Sequence, residues 1–211
     1  MIKDLIWDLD GTLFDTYPAV VRAFQSVFRA HHIDLPDEQV LSLTRVSYRN
    51  CANVVAGAHG LDAARIMEQF DQAYLQIPCE TQPPFPGAPD VCRWTVACGG
   101  KNVLVTHRAE LTSLRLLESF HLRGLFAGWV TGDMGFPRKP NPASFLAALH
   151  RFDLQPENAL ALGDRDLDLQ AALAAGVRYT CAFGPDPFET PADFFVTDFR
   201  DMLPLLERHQ G

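Results

Sequence analysis

Six short apolar runs recur along the chain, and each has the length of a buried strand. Leu5-Ile6-Trp7 lies within residues 2–9; the others are Asn102 to Thr106, Gly128 to Thr131, Ala159 to Leu162, Arg178 to Phe183 and Phe194 to Val196. Apolar runs of this length bounded by glycine or polar residues read as strands. Helical spacing fills the intervals: Leu111, Leu114 and Leu117 are expected to share one face, as are Phe145, Leu149 and Phe152. Strands alternating with helices predict a parallel sheet covered on both faces, with its ligand outside the carboxyl ends of the strands.

Residues 17–78 interrupt this alternation. Val21, Phe24 and Phe28 mark one amphipathic helix, and Ile66, Phe70, Tyr74 and Ile77 mark another. A weaker helical stretch is expected from about Asp37 to Ala56. The segment runs into a passage holding Pro78, Pro83, Pro84, Pro86 and Pro89, which cannot continue a helix. The expected fold is therefore α/β: a Rossmann-like core from residues 1–16 and 79–211, with an all-helical cap inserted at 17–78.

Composition excludes several classes of function. The net charge is −8 with no basic block, so nucleic acid is not an expected partner. No apolar stretch approaches the roughly 20 residues of a membrane helix. The apolar run near the N-terminus meets acids at once, so it does not read as a secretory signal, and a cytoplasmic location is expected. The five cysteines are odd in number and scattered, which predicts reduced, mostly buried thiols. A monomer is the expected state.

The chemistry concentrates where the apolar runs end. Asp8 and Asp10 stand two apart at a strand end, so both carboxylates can approach one site while Leu9 points into the core. A carboxylate is ionised at neutral pH and can attack phosphorus without first losing a proton. Its neighbour can pass a proton to the leaving oxygen and later take one from water. Gly11 allows the sharp turn that brings backbone N–H groups near an anion. Farther on, Asn-Val-Leu-Val-Thr-His-Arg ends a strand at Thr106, whose hydroxyl could bind a phosphate oxygen together with the His107 amide. Pro-Arg-Lys-Pro-Asn-Pro places Lys139 just before a helix, with Asn141 as N-cap and Pro142 in the first turn. Gly163-Asp164 and Asp168 close another strand with hard oxygen ligands of the kind that suit Mg²⁺.

These four segments, in this order, resemble the haloacid dehalogenase superfamily, in the branch containing phosphoglycolate phosphatase and β-phosphoglucomutase with a small helical cap. The resemblance spans Asp8 to Asp168. It implies that Asp8 is the nucleophile, Asp10 the general acid/base, Thr106 the phosphate-binding hydroxyl, and Lys139 the cation that neutralises nucleophile and phosphoryl group. It also implies Mg²⁺ as cofactor, held by Asp8, the Asp10 backbone carbonyl, Asp164 and Asp168. The implied substrate is a small phosphorylated metabolite, phosphoglycolate-like, a sugar phosphate or a nucleotide monophosphate.

Other readings remain beside this one. A sugar phosphomutase could use the same aspartyl-phosphate, and Arg49 lies close to where such mutases grip the distal phosphate. The fourth segment lacks their usual second acid before the metal-binding aspartate, which favours hydrolysis. Asp10 counts against a true dehalogenase. A catalytically silent binding module would be expected to have lost the nucleophile, the lysine or the metal acids, and all are present. Arg45, Tyr48 and Arg49, near an expected turn at Val46-Ser47, are candidates for recognising the far end of a substrate, and a solvated helix face explains them equally well. Arg108 is assigned a structural or rim role, and Asp166 is expected only to favour a helix N-terminus.

Overall fold

A computed structural model describes residues 1–185 and 188–209. Its six-stranded sheet comprises β1 (Asp4–Trp7), β2 (Asn102–Val105), β3 (Phe126–Val130), β4 (Ala159–Gly163), β5 (Tyr179–Phe183) and β6 (Phe194–Val196). The strand order is β3-β2-β1-β4-β5-β6, and every pairing is parallel. The helices are α1 (Tyr17–Ala30), α2 (Asp37–Val46), α3 (Tyr48–His59), α4 (Ala63–Leu75), α5 (Ala88–Ala97), α6 (Glu110–Ser119), α7 (Ala143–Arg151), α8 (Asp166–Ala174) and α9 (Met202–Arg208). None of the described helices is long and apolar enough to cross a membrane.

The chain divides into two compact units, one of Met1–Asp15 with Pro83–Gly211 and one of Thr16–Gln82. The first holds the sheet. All four residues of β1, of β2 and all five of β4 are buried, as central parallel strands covered on both faces must be. Ile6, Val103, Val105 and Ala161 pack with Phe145 and Leu149 of α7 and Ala171 and Ala172 of α8. Two polar side chains of this interior are paired with each other and with the backbone. The Trp7 indole donates to Asn102 Oδ1 at 3.0 Å, and the Asn102 amide donates to the Cys92 and Leu125 carbonyls.

One helix face differs from expectation. Leu117 is buried in α6, but Leu111 is 65% exposed. Residues spaced by three fall back 60° per step on a helix of 3.6 residues per turn, so a run of threes drifts off its own face. The inward side is instead Ser113, Leu116 and Leu117.

The second unit is built on Phe24, Phe28, Ile66, Phe70 and Tyr74, with Val40, Cys51, Ala52 and Val55 from α2 and α3. Phe24 stacks on Phe70 with ring centroids 4.1 Å apart. The weak helical stretch expected across residues 37–56 is two helices broken at Ser47. Ser47 ends α2 in an extended conformation and caps α3, its hydroxyl accepting from the Asn50 N–H at 2.9 Å. A serine offering its own acceptor to a helix start is a stronger signal than the apolar spacing running through it. The cysteines are all free thiols, and only Cys98 is exposed.

Candidate active site

The strand order explains where chemistry can gather. The chain leaves β1 for β2 and then β3 on one side, and returns to β4 on the other, so the carboxyl end of β1 is the topological switch point. Asp8 follows β1 at that point. Its N–H donates to the Leu162 carbonyl of β4 at 3.0 Å, holding it in line with the strand end, and its side chain is buried. Leu9 turns inward and is fully buried, as the alternation of a strand requires. Gly11 then adopts φ +78°, the left-handed region that a glycine enters without strain. Its own N–H is used on the Phe14 carbonyl at 3.0 Å, so Gly11 supplies the turn rather than a donor for an anion.

Lys139 joins the strands. Its ammonium donates to Asp8 Oδ1 at 2.7 Å, to Asp168 Oδ1 at 2.8 Å and to the Val105 carbonyl at 2.8 Å. An ammonium has three donors, and all three are used. Burial pulls the Lys139 ammonium down, but the Asp168 and Asp8 carboxylates outweigh it and hold it above the ordinary lysine range. Asp168 is likewise pushed up by burial, yet Lys139 and Arg165 bring it below the usual carboxylate range. Asp8 goes the other way. Burial, partly offset by Lys139 and reinforced by Asp168, pushes its carboxyl up to about 6.

The loop carrying Lys139 is held by His107. The Lys139 N–H donates to His107 Nε2 at 2.9 Å, a bond open only to the neutral ring. Burial, with the Lys139 and Arg138 cations beside it, drives the imidazole down to about 3. The part assigned to His107 from the sequence was its backbone amide; this side-chain role was not foreseen. The helix starts one residue later than expected, with Pro142 at its N-cap and Asn141 just before it, where Asn141 Oδ1 accepts from the Ala143 N–H at 3.0 Å.

Asp164 and Asp168 follow β4. Carboxylate oxygens of Asp8, Asp164 and Asp168 all lie within 4.8 Å of one another. Asp168 Oδ2 is buried without a hydrogen-bond partner among the described residues. An all-oxygen donor set with one orphaned buried carboxylate oxygen fits a hard divalent cation. Thr12 ties the two segments together, its hydroxyl donating to Asp164 Oδ1 at 3.3 Å. Arg165 stands at the edge, with Nε 3.6 Å from Asp168 Oδ2 and 3.8 Å from Asp164 Oδ1. Asp166 opens α8 and accepts the Thr190 N–H at 2.6 Å.

Asp10 is not one of the three clustered acids. Its carboxylate meets Arg108, which the sequence reading left as structural or at the rim. Thr106 is buried at the end of β2, where its Oγ1 accepts from the Arg108 N–H at 3.1 Å. Its hydroxyl proton can still be donated elsewhere. Arg49 lies exposed in the first turn of α3, in the second unit, and Arg45 stacks over the Tyr17 ring at 5.5 Å within that same unit. Two of the unforeseen participants, Thr12 and Arg108, adjoin residues already singled out; being next to a strand-end motif was the available signal.

Fold and cluster together mark an α/β enzyme with an acidic, lysine-held site at the switch point of its sheet. The chain belongs to the haloacid dehalogenase-like hydrolases, whose family model matches residues 5–182. It is 29% identical over 219 residues to a phosphoglycolate phosphatase of Nitrosospira multiformis, covering 98% of this chain and 96% of that protein. Two solved structures share its fold. A predicted phosphoglycolate phosphatase from Haemophilus somnus superposes with a TM-score of 0.85 at 21% identity, over 97% of this chain and 98% of that one. A β-phosphoglucomutase from Clostridium difficile gives 0.81 at 18% identity, over 99% and 96%. The family and branch expected from the motifs are thus both found, and the phosphatase class agrees with the names of the relatives.

Proposed function

We propose that this chain is a cytoplasmic, Mg²⁺-dependent phosphatase of a small phosphorylated metabolite, phosphoglycolate-like or a sugar phosphate, working through a phosphoryl-aspartate on Asp8. The observation that carries the reading is the Lys139 ammonium set between Asp8 and Asp168, 2.7 and 2.8 Å from them, at the carboxyl end of the central strand. A fixed cation there binds an incoming phosphoryl group and keeps Asp8 from being repelled by it. The relatives named phosphoglycolate phosphatase support the substrate class.

In the first half-reaction an Asp8 oxygen forms a bond to phosphorus while the bond from phosphorus to the ester oxygen breaks. Asp10 gives its proton to that oxygen, and the alcohol leaves. In the second, Asp10 takes a proton from water as the water oxygen bonds to phosphorus, the Asp8–phosphorus bond breaks, and inorganic phosphate departs. Thr106 donates its hydroxyl proton to a phosphoryl oxygen, and Lys139 stays protonated throughout. Mg²⁺, when bound by Asp8, Asp164, Asp168 and the Asp10 carbonyl, supplies further positive charge to the phosphoryl oxygens. Residues 17–78 serve as a cap that excludes water and selects the substrate, with Arg49 as a candidate contact.

The test is phosphate release from a panel of phosphorylated metabolites and p-nitrophenyl phosphate, with and without Mg²⁺, with Asp8→Asn as control. Mg²⁺-dependent release that vanishes in the control is expected. Release surviving in a folded Asp8→Asn protein would remove Asp8 from the mechanism. Isomerisation of a sugar phosphate primed by its bis-phosphate, without net phosphate release, would favour the mutase.

A further inference from the structure

Arg108 is a strongly bound side chain near the site that the proposed reaction leaves without a task. Its Nη2 donates to Asp10 Oδ1 at 2.7 Å, and its Nε lies 3.1 Å from Oδ1 and 3.3 Å from Oδ2. The guanidinium side chain is 3% exposed and the Asp10 side chain 13%. Exposed ion pairs of this kind are often incidental, but this one is built into the fold. The Arg108 N–H donates to Thr106 Oγ1 and its carbonyl accepts from the Gly132 N–H at 2.9 Å. Gly132 itself sits so close that a β-carbon there would be 2.4 Å from the His107 carbonyl oxygen. The ends of β2 and β3 therefore clamp the Arg108 backbone, and the side chain reaches from that clamp to the turn after β1.

We propose that Arg108 is the positioning residue for Asp10, fixing the orientation in which its carboxylate serves the leaving oxygen and the water. This rests on the acid/base part assigned to Asp10 above. The fork engages Oδ1 with two N–H groups and Oδ2 with one longer contact, which fixes the plane and rotamer of the carboxylate. A guanidinium suits the task because it is permanently charged, planar and unable to act as a proton donor to the substrate itself. Lysine offers one point charge and no fork, so it cannot fix the plane of the carboxylate. Asp10 immediately precedes the Gly11 turn, and the Arg108 fork holds its side chain there.

The experiment compares esters that differ in their need for a proton. An alkyl phosphate such as 2-phosphoglycolate has a poor leaving group and depends on general acid help; p-nitrophenyl phosphate has a good one and does not. Arg108→Met, which keeps an unbranched apolar stem and removes the guanidinium, is expected to lower kcat/KM on 2-phosphoglycolate by at least about tenfold with little change in kcat/KM on p-nitrophenyl phosphate, because kcat/KM reports the phosphorylation step and not the hydrolysis that both esters share. Arg108→Ala should regain part of the lost turnover with added guanidinium ion. Arg108→Met combined with Asp10→Asn should be no slower than Asp10→Asn alone, because both disable one device. Equal loss of kcat/KM on both esters in a folded variant, or no loss at all, would overturn the proposal. If Asp10→Asn itself fails to discriminate between the esters, the acid/base reading of Asp10 falls and takes this one with it. If Asp10→Asn discriminates and Arg108→Met does not, only the positioning role is lost.

Discussion

A β-carbon on Gly163 would lie 2.4 Å from the Asp168 β-carbon and 3.0 Å from its Oδ2. The last residue of β4 and the first turn of α8 are in such close contact that only hydrogen fits between them. Gly163→Ala should therefore displace Asp168 from Lys139 and from the acidic cluster. The expected outcome is Mg²⁺ affinity weakened by about tenfold or more, in line with losses when the support of a metal ligand is disturbed. Isothermal titration with Mg²⁺ checks it, and an unchanged affinity would mean that the helix shifts without moving the carboxylate.

Asp8 is costly to ionise in the metal-free protein, and stability should record that cost. Its folded value, about 6, lies above its ordinary 3.8. Between those values the native state holds more proton than the unfolded chain, so stability falls as pH rises through them. Asp8→Asn cannot ionise and escapes the penalty. In the absence of metal it should melt a few degrees higher than the unaltered protein at pH 7, and the gain should vanish near pH 4. A lower Tm at pH 7 would show that the Lys139 contact outweighs the burial of the charge.

His107 should produce the opposite slope. Its folded value near 3 lies below the ordinary 6.5, so the unfolded chain binds more proton between those values, and stability is lost as pH falls through that window. His107→Leu removes this acid sensitivity, but it leaves the Lys139 N–H without its acceptor. That should cost about 1–3 kcal/mol at pH 7, with kcat reduced because Lys139 is no longer fixed. His107→Gln, which offers a carbonyl oxygen, should lose less. Melting curves from pH 4 to 8 separate the two effects.

Metal removal should be visible without substrate. A cation bound to the folded cluster and not to the unfolded chain stabilises by mass action, by about 2.7 kcal/mol at a hundred times Kd. Chelator should lower Tm and Mg²⁺ restore it. Asp168→Asn should abolish most of the response while Asp10→Asn, whose carboxylate faces Arg108, should keep it. An equal loss in both variants would place the Asp10 side chain among the ligands.

The strands and the clustered acids were legible in the sequence because each rests on a local pattern. An apolar run ending at Asp8, Thr106 or Asp164 needs no knowledge of the rest of the chain. The Asp10–Arg108 fork and the bond from the Lys139 N–H to His107 join residues 98 and 32 positions apart. Sequence spacing carries no information about such pairs, so Arg108 looked like a rim residue and His107 like a backbone donor. The break at Ser47 falls at the Val46-Ser47 turn read from the sequence within the weak helical stretch; apolar spacing continues through it, and the capping preference of serine marks the boundary. Leu111 failed because spacing by three resembles a helix face over one step and leaves it over two.

Asp8 and Lys139 are 131 residues apart, and Asp168 lies a further 29 along the chain. During synthesis the nucleophile emerges first and its cation and final carboxylate much later, after residues 17–78 have had time to collapse on their own apolar cluster. Until residues 139–163 are out, Asp8 lacks the Lys139 ammonium or the flanking strand β4. The site is therefore assembled in the order of synthesis, with the cation and the last carboxylate arriving after the aspartate they hold.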